Sequence, residues 1–498
     1  NLTAPDYQGI DYFDATIYEG NGTGQRVGDF VPFTDAYTVT NSVMFEDGDS
    51  RSLTLNSSAT RTSATVAAFS LWTKRATLGI NARPLTVQVD GNNYFSIYYN
   101  TSDQLDFTIN NGGATILQRI TTRAFKDTSA WHNIVVIINQ GEGTQADRVK
   151  VFYDGVQIPN DSTGFGTNTC TLDGSSALNF LDSASAVHDV GGGSSTGFTQ
   201  AYDGYVAEVA FLDGADSGGK LNASDFGQVD TSTNRWVPKD IGSYNFGNTG
   251  YYLEFKVAPG TGDGAGTDTS GESNNFTSNG SWATTDQFID CPSQNFATID
   301  PVISNGATPV TLSEGNLTGV RSSSGFQQAY NNFGGFRLQE NTGIYFAEVL
   351  VGSDTSNFHV GVLSGDPPSS TNRYLGQDSN TYGYDRGSGN KTNNGTGVSY
   401  GASYTAGDVI GIEIDTDTGS INFHKNGSDQ GQAFTAVAGP YNFAFASESG
   451  GGPGTFNFGQ QMVLGGAATT LNATAGGRFK HTPPTGAKAL NQDNLDDT

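Results

Sequence analysis

The fold of this chain is most constrained by one run of alternating residues, GDVIGIEIDTDTGSINFHKNGSDQGQAF, which extends from Gly407 to Phe434. In its first part isoleucines occupy every second position, with glycine or acidic residues between them. Because successive side chains of a β-strand point to opposite faces, the isoleucines share one face and the acids the other. Lys425-Asn426-Gly427 favours a tight turn, since both central positions of such a turn need a positive φ. The run predicts a half-buried antiparallel meander that ends in a hairpin.

That run resembles part of the SPRY domain, in which a strand of this type, an acidic turn and a Lys-Asn-Gly hairpin follow one another. Further motifs stand in the order expected for that family: GIYFAEVLV at 343–351, NFHVGVL at 357–363, YGYD at 382–385, YG at 400–401 and FNFG at 456–459. The resemblance covers residues 295–461. It implies a β-sandwich that binds partners through loops at one end and is not an enzyme.

The composition favours an all-β protein with many turns. Gly, Ser, Thr, Asn and Asp dominate, aromatic and β-branched residues are plentiful, and long windows of strong helix formers are missing. A chain of 498 residues is expected to hold two or three domains.

The charge and hydropathy of the chain exclude several classes of partner. A formal net charge of −26 repels nucleic-acid phosphates and disfavours docking on anionic membranes. No apolar run approaches the ~20 residues that a membrane-spanning helix needs. We therefore expect neither nucleic-acid binding nor membrane insertion.

The first half of the chain predicts strand after strand, and their order resembles the laminin-G-like, concanavalin A-like jelly roll. The resemblance rests on SVMFEDGDS at 42–50, FSLWTKR at 69–75, WHNIVVIIN at 131–139, YDGVQI at 153–158 and YDGYVAEVAFLDG at 202–214. This half of the chain is similar above all to jelly rolls encoded by marine bacteriophages. Those jelly rolls often continue with a segment such as SDFGQVDTSTNRWVP, which stands here at 224–238. This resemblance implies a virion protein.

Together these patterns predict two tandem antiparallel β-sandwiches. The expected divisions are an N-terminal segment 1–40, a laminin-G-like jelly roll 41–256, a linker 257–294, a SPRY-like sandwich 295–461 and a C-terminal extension 462–498. The linker is predicted because residues 258–280 are rich in Gly, Ser, Thr and Asp and nearly devoid of apolar side chains. Cys170 and Cys291 are expected either to remain free thiols or to bridge the first domain and the linker.

One catalytic arrangement has to be considered in the alternating run. Glu413, Asp415 and Asp417 are spaced as three carboxylates on one face of a strand, and a retaining glycosidase needs two carboxyl groups about 5 Å apart. An acidic strand end before a turn is equally ordinary. The five histidines lack partners spaced for a hydrolytic triad or a zinc site, so we expect no enzyme.

A turn near residue 47 offers oxygen ligands for a cation. Glu46-Asp47-Gly48-Asp49-Ser50 clusters acidic groups, and Asp203 or Asp213 could approach it in a jelly roll. Asp47, Asp49 and Asp203 are the predicted ligands of Ca²⁺, which is the one cofactor the sequence indicates. The alternative is a solvated acidic turn without an ion.

A loop in the second predicted sandwich has the composition of a binding surface. Tyrosines supply contact area at low entropic cost, and neighbouring Asn and Ser supply adaptable hydrogen bonds. The predicted ligand-binding residues are Tyr374, Tyr382, Tyr384, Asp385, Arg386 and Lys391. The alternative is that Tyr382 and Tyr384 pack inside the sandwich.

From these features we predict a non-enzymatic virion protein, a bacteriophage tail fibre or surface appendage that recognises a glycan or protein on the host surface. Its partners would be other virion proteins and further copies of itself, as a trimer, in an extracellular location. A capsid decoration protein, a secreted bacterial adhesin and a glycan hydrolase stay open as alternatives.

Overall fold

The computed structural model describes residues 37–56, 59–182, 184–192, 200–214, 221–231, 233–260, 263–301, 310–321, 327–332, 337–352, 357–367, 373–447, 452–460, 464 and 476–495. Most of the predicted N-terminal segment 1–40 and part of the predicted extension 462–498 lie outside the described residues. Among the described residues, no helix has the length and apolar character needed to span a membrane.

The first part of the chain is built almost entirely of short antiparallel strands. The strands are β1 Ser42–Phe45, β2 Ser52–Asn56, β3 Val66–Arg75, β4 Ala82–Asp90, β5 Asn93–Tyr99, β6 Gln104–Asn111, β7 Ala114–Ala124, β8 His132–Asn139, β9 Val149–Tyr153, β10 Val156–Gln157, β11 Phe165–Cys170, β12 Val187–Val190, β13 Gly204–Asp213, β14 Gly227–Val229, β15 Trp236–Pro238, β16 Tyr251–Leu253, β17 Thr277–Asn279 and β18 Gln287–Phe288. One α-helical turn, α1, spans Asn179–Asp182. Single 3₁₀ turns lie at Asp47–Asp49, Gln145–Arg148, Ala223–Asp225, Gly264–Gly266 and Thr284–Asp286.

These strands form two facing sheets around one core. The first sheet has the order β10-β9-β8-β3-β13-β1-β18, with β16 also paired to β13, and the second has the order β11-β7-β6-β5-β4-β12-β2-β17. Along β3 the inward positions Ala67, Phe69 and Leu71 join this core. The outward positions Ala68 and Trp72 are buried too, against other parts of the chain. The sheet is therefore covered on both faces.

The second part of the chain repeats this architecture. Its strands are β19 Thr298–Ile299, β20 Thr311–Ser313, β21 Thr318–Val320, β22 Gln327–Asn332, β23 Ile344–Val351, β24 Phe358–Ser364, β25 Thr381–Asp385, β26 Asn390–Asn393, β27 Thr396–Ser399, β28 Val409–Asp415, β29 Ser420–Lys425, β30 Ser428–Phe434, β31 Tyr441–Ser447, β32 Gly454–Asn457 and β33 Ala487–Lys488, followed by a 3₁₀ turn at Gln492–Asn494. One sheet has the order β19-β22-β31-β24-β25-β26-β27. The other has the order β20-β21-β32-β23-β28-β29-β30, with β33 added in parallel beside β23.

The meander predicted from the alternating run is confirmed as β28, β29 and β30. Ile410, Ile412 and Ile414 are fully buried on its inner face. At the hairpin tip Asn426 and Gly427 both have positive φ, 49° and 80°, as the tight turn requires. The predicted fold class, two tandem antiparallel β-sandwiches, is thus confirmed.

The predicted linker 257–294 takes part in the first sandwich. Its strand β17 pairs with β2, and its strand β18 pairs with β1, so it extends both sheets by one strand. Phe276 and Phe288 anchor it in buried clusters. A segment of low apolar content can extend a sheet because edge pairing uses backbone groups, which composition does not reveal. Cys170 and Cys291 are free thiols in the structure.

The two sandwiches share a buried junction. Trp72, Trp131 and Tyr205 of the first belong to the same apolar cluster as the core of the second. At its centre the Lys74 ammonium lies 2.8 Å from Oδ2 of Asp290, and both side chains are fully buried. Lys74 also donates to Oδ1 of Asn295 at 2.7 Å and to the carbonyl of Phe296 at 2.7 Å.

A turn of the second sandwich inserts beside this pair. Gly315 lies there at φ 61°, and its carbonyl accepts a 2.9 Å hydrogen bond from the Tyr205 hydroxyl. A Cβ on Gly315 would come within 2.3 Å of that hydroxyl oxygen, so only glycine fits. Asn316 donates from Nδ2 to the carbonyl of Ala76 at 2.9 Å.

A second buried acidic group lies on the outer face of β13. Glu208 sits in a β-bulge at φ 50° and is 7% exposed. Burial, reinforced by the charge of Glu254, raises the pKa of Glu208 to about 8. The hydroxyl groups of Tyr37 and Tyr252 both donate hydrogen bonds to this carboxyl group.

We expect the free energy of unfolding to fall as pH rises from 4.5, the ordinary pKa of a glutamate, to about 8. Over that range folded Glu208 keeps a proton that the unfolded chain releases, which costs up to roughly 1.4 kcal/mol per pH unit. Urea titrations at about pH 5 and about pH 8 measure the difference. Glu208→Gln imitates the protonated carboxyl group and should reduce the difference in free energy of unfolding between the two pH values. Glu272→Gln, at an exposed position, should leave that difference unchanged. An equal pH difference in Glu208→Gln and the unaltered chain would contradict the prediction.

Candidate functional site

The six predicted ligand-binding residues divide between the two faces of one sheet. Tyr382 and Tyr384 point into the sandwich, and Tyr384 is fully buried against Tyr400, Tyr404 and Phe423 at ring-centroid distances of 5.4, 5.0 and 5.2 Å. The inward position of these two tyrosines matches the packing alternative considered above. Tyr384 cannot touch a partner directly without opening the core, whereas Tyr382 is only partly buried, beside Phe434 at the sheet edge.

Tyr374 and Asp385 lie on the opposite, outer face. The ring of Tyr374 stacks on His359 with a centroid distance of 4.9 Å. Oδ2 of Asp385 lies 3.5 Å from Nε2 of the same histidine. The structure therefore brings Tyr374 and Asp385 together through His359 and separates them from Tyr382 and Tyr384.

Lys391, on β26 beside the edge strand β27, contacts the edge strand β30 of the other sheet. Its ammonium lies 5.6 Å from the ring centroid of Phe434 and 6.0 Å from that of Tyr400, within the range of cation–π attraction. It also donates to the carbonyl of Ala433 on β30. Tyr382 packs edge-on against Phe434 at 5.1 Å. These contacts hold β26 to β30 and leave the ammonium half-buried.

The exposed surface near these residues consists of three loops at one end of the second sandwich. We call residues 386–389, 400–408 and 426–427 the rim. Strand register places them together, because His359 pairs with Asp385 and Ile410 pairs with Lys425 at this end. The exposed rim residues are Gly387, Ser388, Ala402, Ser403, Thr405, Ala406, Gly407, Asn426 and Gly427.

Buried aromatic hydroxyls and one arginine fix the longest rim loop from below. The Tyr404 hydroxyl donates to the carbonyl of Tyr384 at 2.7 Å, and the Tyr384 hydroxyl in turn donates to the carbonyl of Ala402. Arg386 donates from Nε to the carbonyl of Tyr404 at 3.3 Å. Tyr384 and Arg386 thus position the rim and do not form its surface.

An ion pair links the rim loop 400–408 to Lys425, which directly precedes the rim loop 426–427. Lys425 lies 3.4 Å from Asp408 and donates to the carbonyl of Ser403 at 2.8 Å. Asn426 donates to Oδ1 of Asp408 at 2.7 Å, and the Thr405 amide donates to Oδ2 at 2.8 Å. Burial alone would raise the pKa of Asp408, but these hydrogen bonds and the lysine charge together lower it. The carbonyls of Ala402, Ser403 and Tyr404 and the partly buried carboxylate of Asp408 all have hydrogen-bond partners, which restricts the motion of the rim.

The three carboxylates of the alternating run do not converge. Glu413 accepts hydrogen bonds from His424 at 2.9 Å and Asn422 at 3.1 Å on the sheet surface. Asp415 accepts from the amide of Asp417 at 2.9 Å, which closes the β28–β29 turn. Asp417 accepts from the amide of Gly343 at 3.0 Å. Each carboxylate has its own structural role, and they do not form the paired arrangement a glycosidase needs.

The predicted cation ligands come together only in part. Carboxylate oxygens of Glu46, Asp47 and Asp203 all lie within 4.8 Å of one another. Asp49 instead pairs with Arg51 at 2.6 Å. Burial and the charge of Asp203 raise the pKa of Glu46 to about 8. Burial, with repulsion from Asp47, raises the pKa of Asp203 to about 6.

Comparison with known proteins identifies the second sandwich. Residues 344–461 match the family model of the SPRY domain. This part of the chain is similar to SPRY domains. The predicted resemblance is confirmed for that part, whereas the comparisons give no support for the phage and laminin-G resemblances of the first part.

The similar curated proteins are Ran-binding proteins of animals. The chain is 33% identical over 100 residues to a Ran-binding proteins 9/10 homolog of Drosophila melanogaster, covering 20% of this chain and 10% of that protein. It is 32% identical over 123 residues to Ran-binding protein 10 of Danio rerio, covering 24% of this chain and 20% of that protein. The match to Ran-binding protein 9 of Homo sapiens is 35% over 94 residues and covers 13% of that protein. The chain thus spans at most a fifth of the length of these relatives.

Solved SPRY domains are also similar to this chain. The SPRY domain of human HERC1 is 22% identical, with 32% of this chain and 96% of that chain covered at a TM-score of 0.27. The PSpry domain of TRIM65 is 19% identical, with 33% and 90% covered at a TM-score of 0.25. TM-scores of this size carry no functional argument.

These relatives correct the predicted function, partners and location. Similarity to Ran-binding proteins of animals contradicts a bacteriophage tail fibre or appendage, and with it the capsid decoration, adhesin and hydrolase alternatives. It contradicts virion proteins and host glycans as partners and a virion or extracellular location. The error arose because the viral setting rested on resemblance of the first sandwich alone.

Sequence reasoning missed the residues that build the rim. Tyr400, Tyr404 and Asp408 stand in a stretch with no periodicity, although Tyr400 belonged to a recognised motif. The signal that could have found Asp408 is its place just before a strand, where a carboxylate accepts loop amides. The pairing of Asp408 with Asn426 crosses a hairpin and follows only from register.

Proposed function

We propose that this chain is a non-enzymatic binding protein whose SPRY domain holds a protein partner at the rim. The observation that carries the proposal is the SPRY match over residues 344–461 together with an exposed, internally satisfied set of loops at one end of that domain. The relatives are named as binding proteins. Because the match covers a tenth to a fifth of those proteins, we do not take Ran as the partner.

The rigidity of the rim supports this role. Binding costs less when loops are ordered beforehand, since little conformational entropy is lost on contact. The rim meets this condition because Tyr384, Tyr404 and Asp408 fix its backbone from within. Its exposed side chains are small and uncharged, so a partner would contact backbone carbonyls and amides as well as hydroxyl groups.

The predicted binding residues enter this proposal in two roles. Tyr382, Tyr384, Arg386 and Lys391 are positioning residues that hold the rim and the sheet edges. Tyr374 and Asp385 lie beside the rim on the outer sheet face and would extend its contact area.

The first sandwich is proposed to be a laminin-G-like jelly roll that serves as a support. Its two sheets and their strand order are compatible with residues 41–256 as one domain, to which 257–294 adds an edge strand on each sheet. Its docked face is buried by the second sandwich, whereas the rim lies at strand ends on the side of β27 and β30, the edge strands opposite β19 and β20 in the sheet order.

We expect bulky charges on the rim to abolish partner binding. A displayed peptide library is panned against the whole chain, and the enriched peptides are measured by fluorescence polarisation. Ser403→Arg combined with Ala406→Arg should lower the affinity of the chain for these peptides by about tenfold or more. The reason is that both side chains are exposed on the rim.

Thr435→Arg is the matched control, since residue 435 is exposed and follows β30 at the opposite end of the sandwich. It should change peptide affinity less than about twofold. Equal weakening by both variants, or a library from which no peptide is enriched, would contradict the proposed role. Melting temperatures of the variants establish that both remain folded.

A further inference from the structure

The acidic cluster beside the junction contains a buried carboxylate oxygen with nothing to neutralise it. Asp203 is 5% exposed, and its Oδ2 accepts a hydrogen bond from the Thr77 hydroxyl. Its Oδ1 is buried and has no hydrogen-bond partner among the residues that the structure describes. A buried, unpaired carboxylate oxygen is costly unless a proton or a cation compensates it.

The nearby basic groups are committed elsewhere. Arg51 lies 2.6 Å from Asp49 and 3.3 Å from Asp286. Arg75 lies 3.0 Å from Asp103 and donates to the carbonyl of Phe125 at 2.7 Å. The cluster of Glu46, Asp47 and Asp203 therefore has no direct ion pair among the described residues.

The spacing of the cluster fits a calcium ion. Oxygen ligands of Ca²⁺ lie about 2.3–2.6 Å from the ion and so up to about 5 Å from one another. The carboxylate oxygens of Glu46, Asp47 and Asp203 lie within 4.8 Å of one another. We propose that these three residues bind Ca²⁺ at the junction between the two sandwiches, with waters completing its coordination.

Such a site would connect the ion to the SPRY-bearing sandwich. Oε2 of Glu46 accepts a 2.7 Å hydrogen bond from the amide of Glu314, which lies in the turn between β20 and β21. An ion bound to Glu46 would hold that carboxylate in its present orientation. Calcium binding is thereby expected to stabilise the contact between the first sandwich and this turn.

Calorimetric titration of the whole chain with CaCl₂, after treatment with a chelator, tests the site. We expect one saturable ion per chain and a melting temperature that rises by several degrees at saturation. Asp203→Asn should weaken binding by about tenfold or more, because it removes the buried charged ligand. Asp47→Asn should also weaken binding, and because Asp47 is exposed the substitution should leave the fold intact.

Asp49→Asn is the matched control, since Asp49 lies in the same turn but pairs with Arg51. It should bind Ca²⁺ as the unaltered chain does. Two results would overturn the proposal: no saturable binding of CaCl₂ by the folded chain, or unchanged binding by both Asp203→Asn and Asp47→Asn. In the first case the cluster holds a proton, and Asp203→Asn should then raise the melting temperature without calcium.

Discussion

Replacing Lys74 by methionine is expected to lower the free energy of unfolding by about 3–5 kcal/mol. The substitution keeps the length of the side chain but leaves Asp290 as an uncompensated charge inside the junction, where both groups are fully buried. It also removes the donor to Asn295 and to the carbonyl of Phe296. Equilibrium unfolding in urea, followed by tryptophan fluorescence, measures the loss, since Trp131 donates to Oδ1 of Asp290.

A double-mutant cycle separates the charge from the packing. Adding Asp290→Leu to Lys74→Met removes the stranded charge and should restore part of the lost stability. Lys126→Met is the control, because that lysine is 64% exposed and lies 3.8 Å from Asp103. Its cost should stay below about 1 kcal/mol. If Lys74→Met proved as mild as the control, the buried pair would not hold the sandwiches together.

Replacing Glu348 by alanine is expected to cost roughly 2–4 kcal/mol and to release the segment 476–495 from the SPRY domain. Glu348 is fully buried, and it accepts hydrogen bonds from the amides of Lys480 at 2.7 Å and His481 at 2.8 Å, and from Asn457 at 3.2 Å. Burial raises the pKa of Glu348 to about 7. Without the carboxylate the backbone amides of Lys480 and His481 lose their hydrogen-bond acceptor. Among the described residues, no other group accepts a hydrogen bond from either amide.

Hydrogen exchange and limited proteolysis of residues 476–495 measure the release. Glu340→Ala is the matched control, since Glu340 also accepts a backbone amide, that of Gly439 at 2.7 Å, but is exposed. Its effect should remain below about 1 kcal/mol. Unchanged protection of residues 476–495 in Glu348→Ala would show that apolar contacts such as Phe479 against Phe346 suffice to hold the segment.

The sequence predicted those parts of the fold that local patterns determine. Alternation predicted the buried face of β28, and Asn426-Gly427 forms the predicted tight turn with φ of 49° and 80°. The contacts that join distant segments carry no local signal. Lys74 and Asp290 are separated by 216 residues, and Glu348 and His481 by 133.

The candidate site shows the same limit. Composition indicated a tyrosine-rich binding loop, but whether Tyr384 faced solvent or core depended on the register of β25 against β26. A shift of one residue would have exposed it, since side chains alternate between faces. The clustering of Asp47 with Asp203 was foreseeable, whereas the pairing of Asp49 with Arg51 was not.

The shared junction has a consequence for synthesis of the chain. Trp72 and Lys74 leave the ribosome long before Asp290 and the strands that cover them. The newly made first sandwich therefore exposes an aromatic face that contains the Lys74 ammonium without its partner Asp290. This exposure lasts until translation has passed the β18 region. That interval favours attachment of a chaperone to this face and makes a pause after residue 256 a hazard for aggregation.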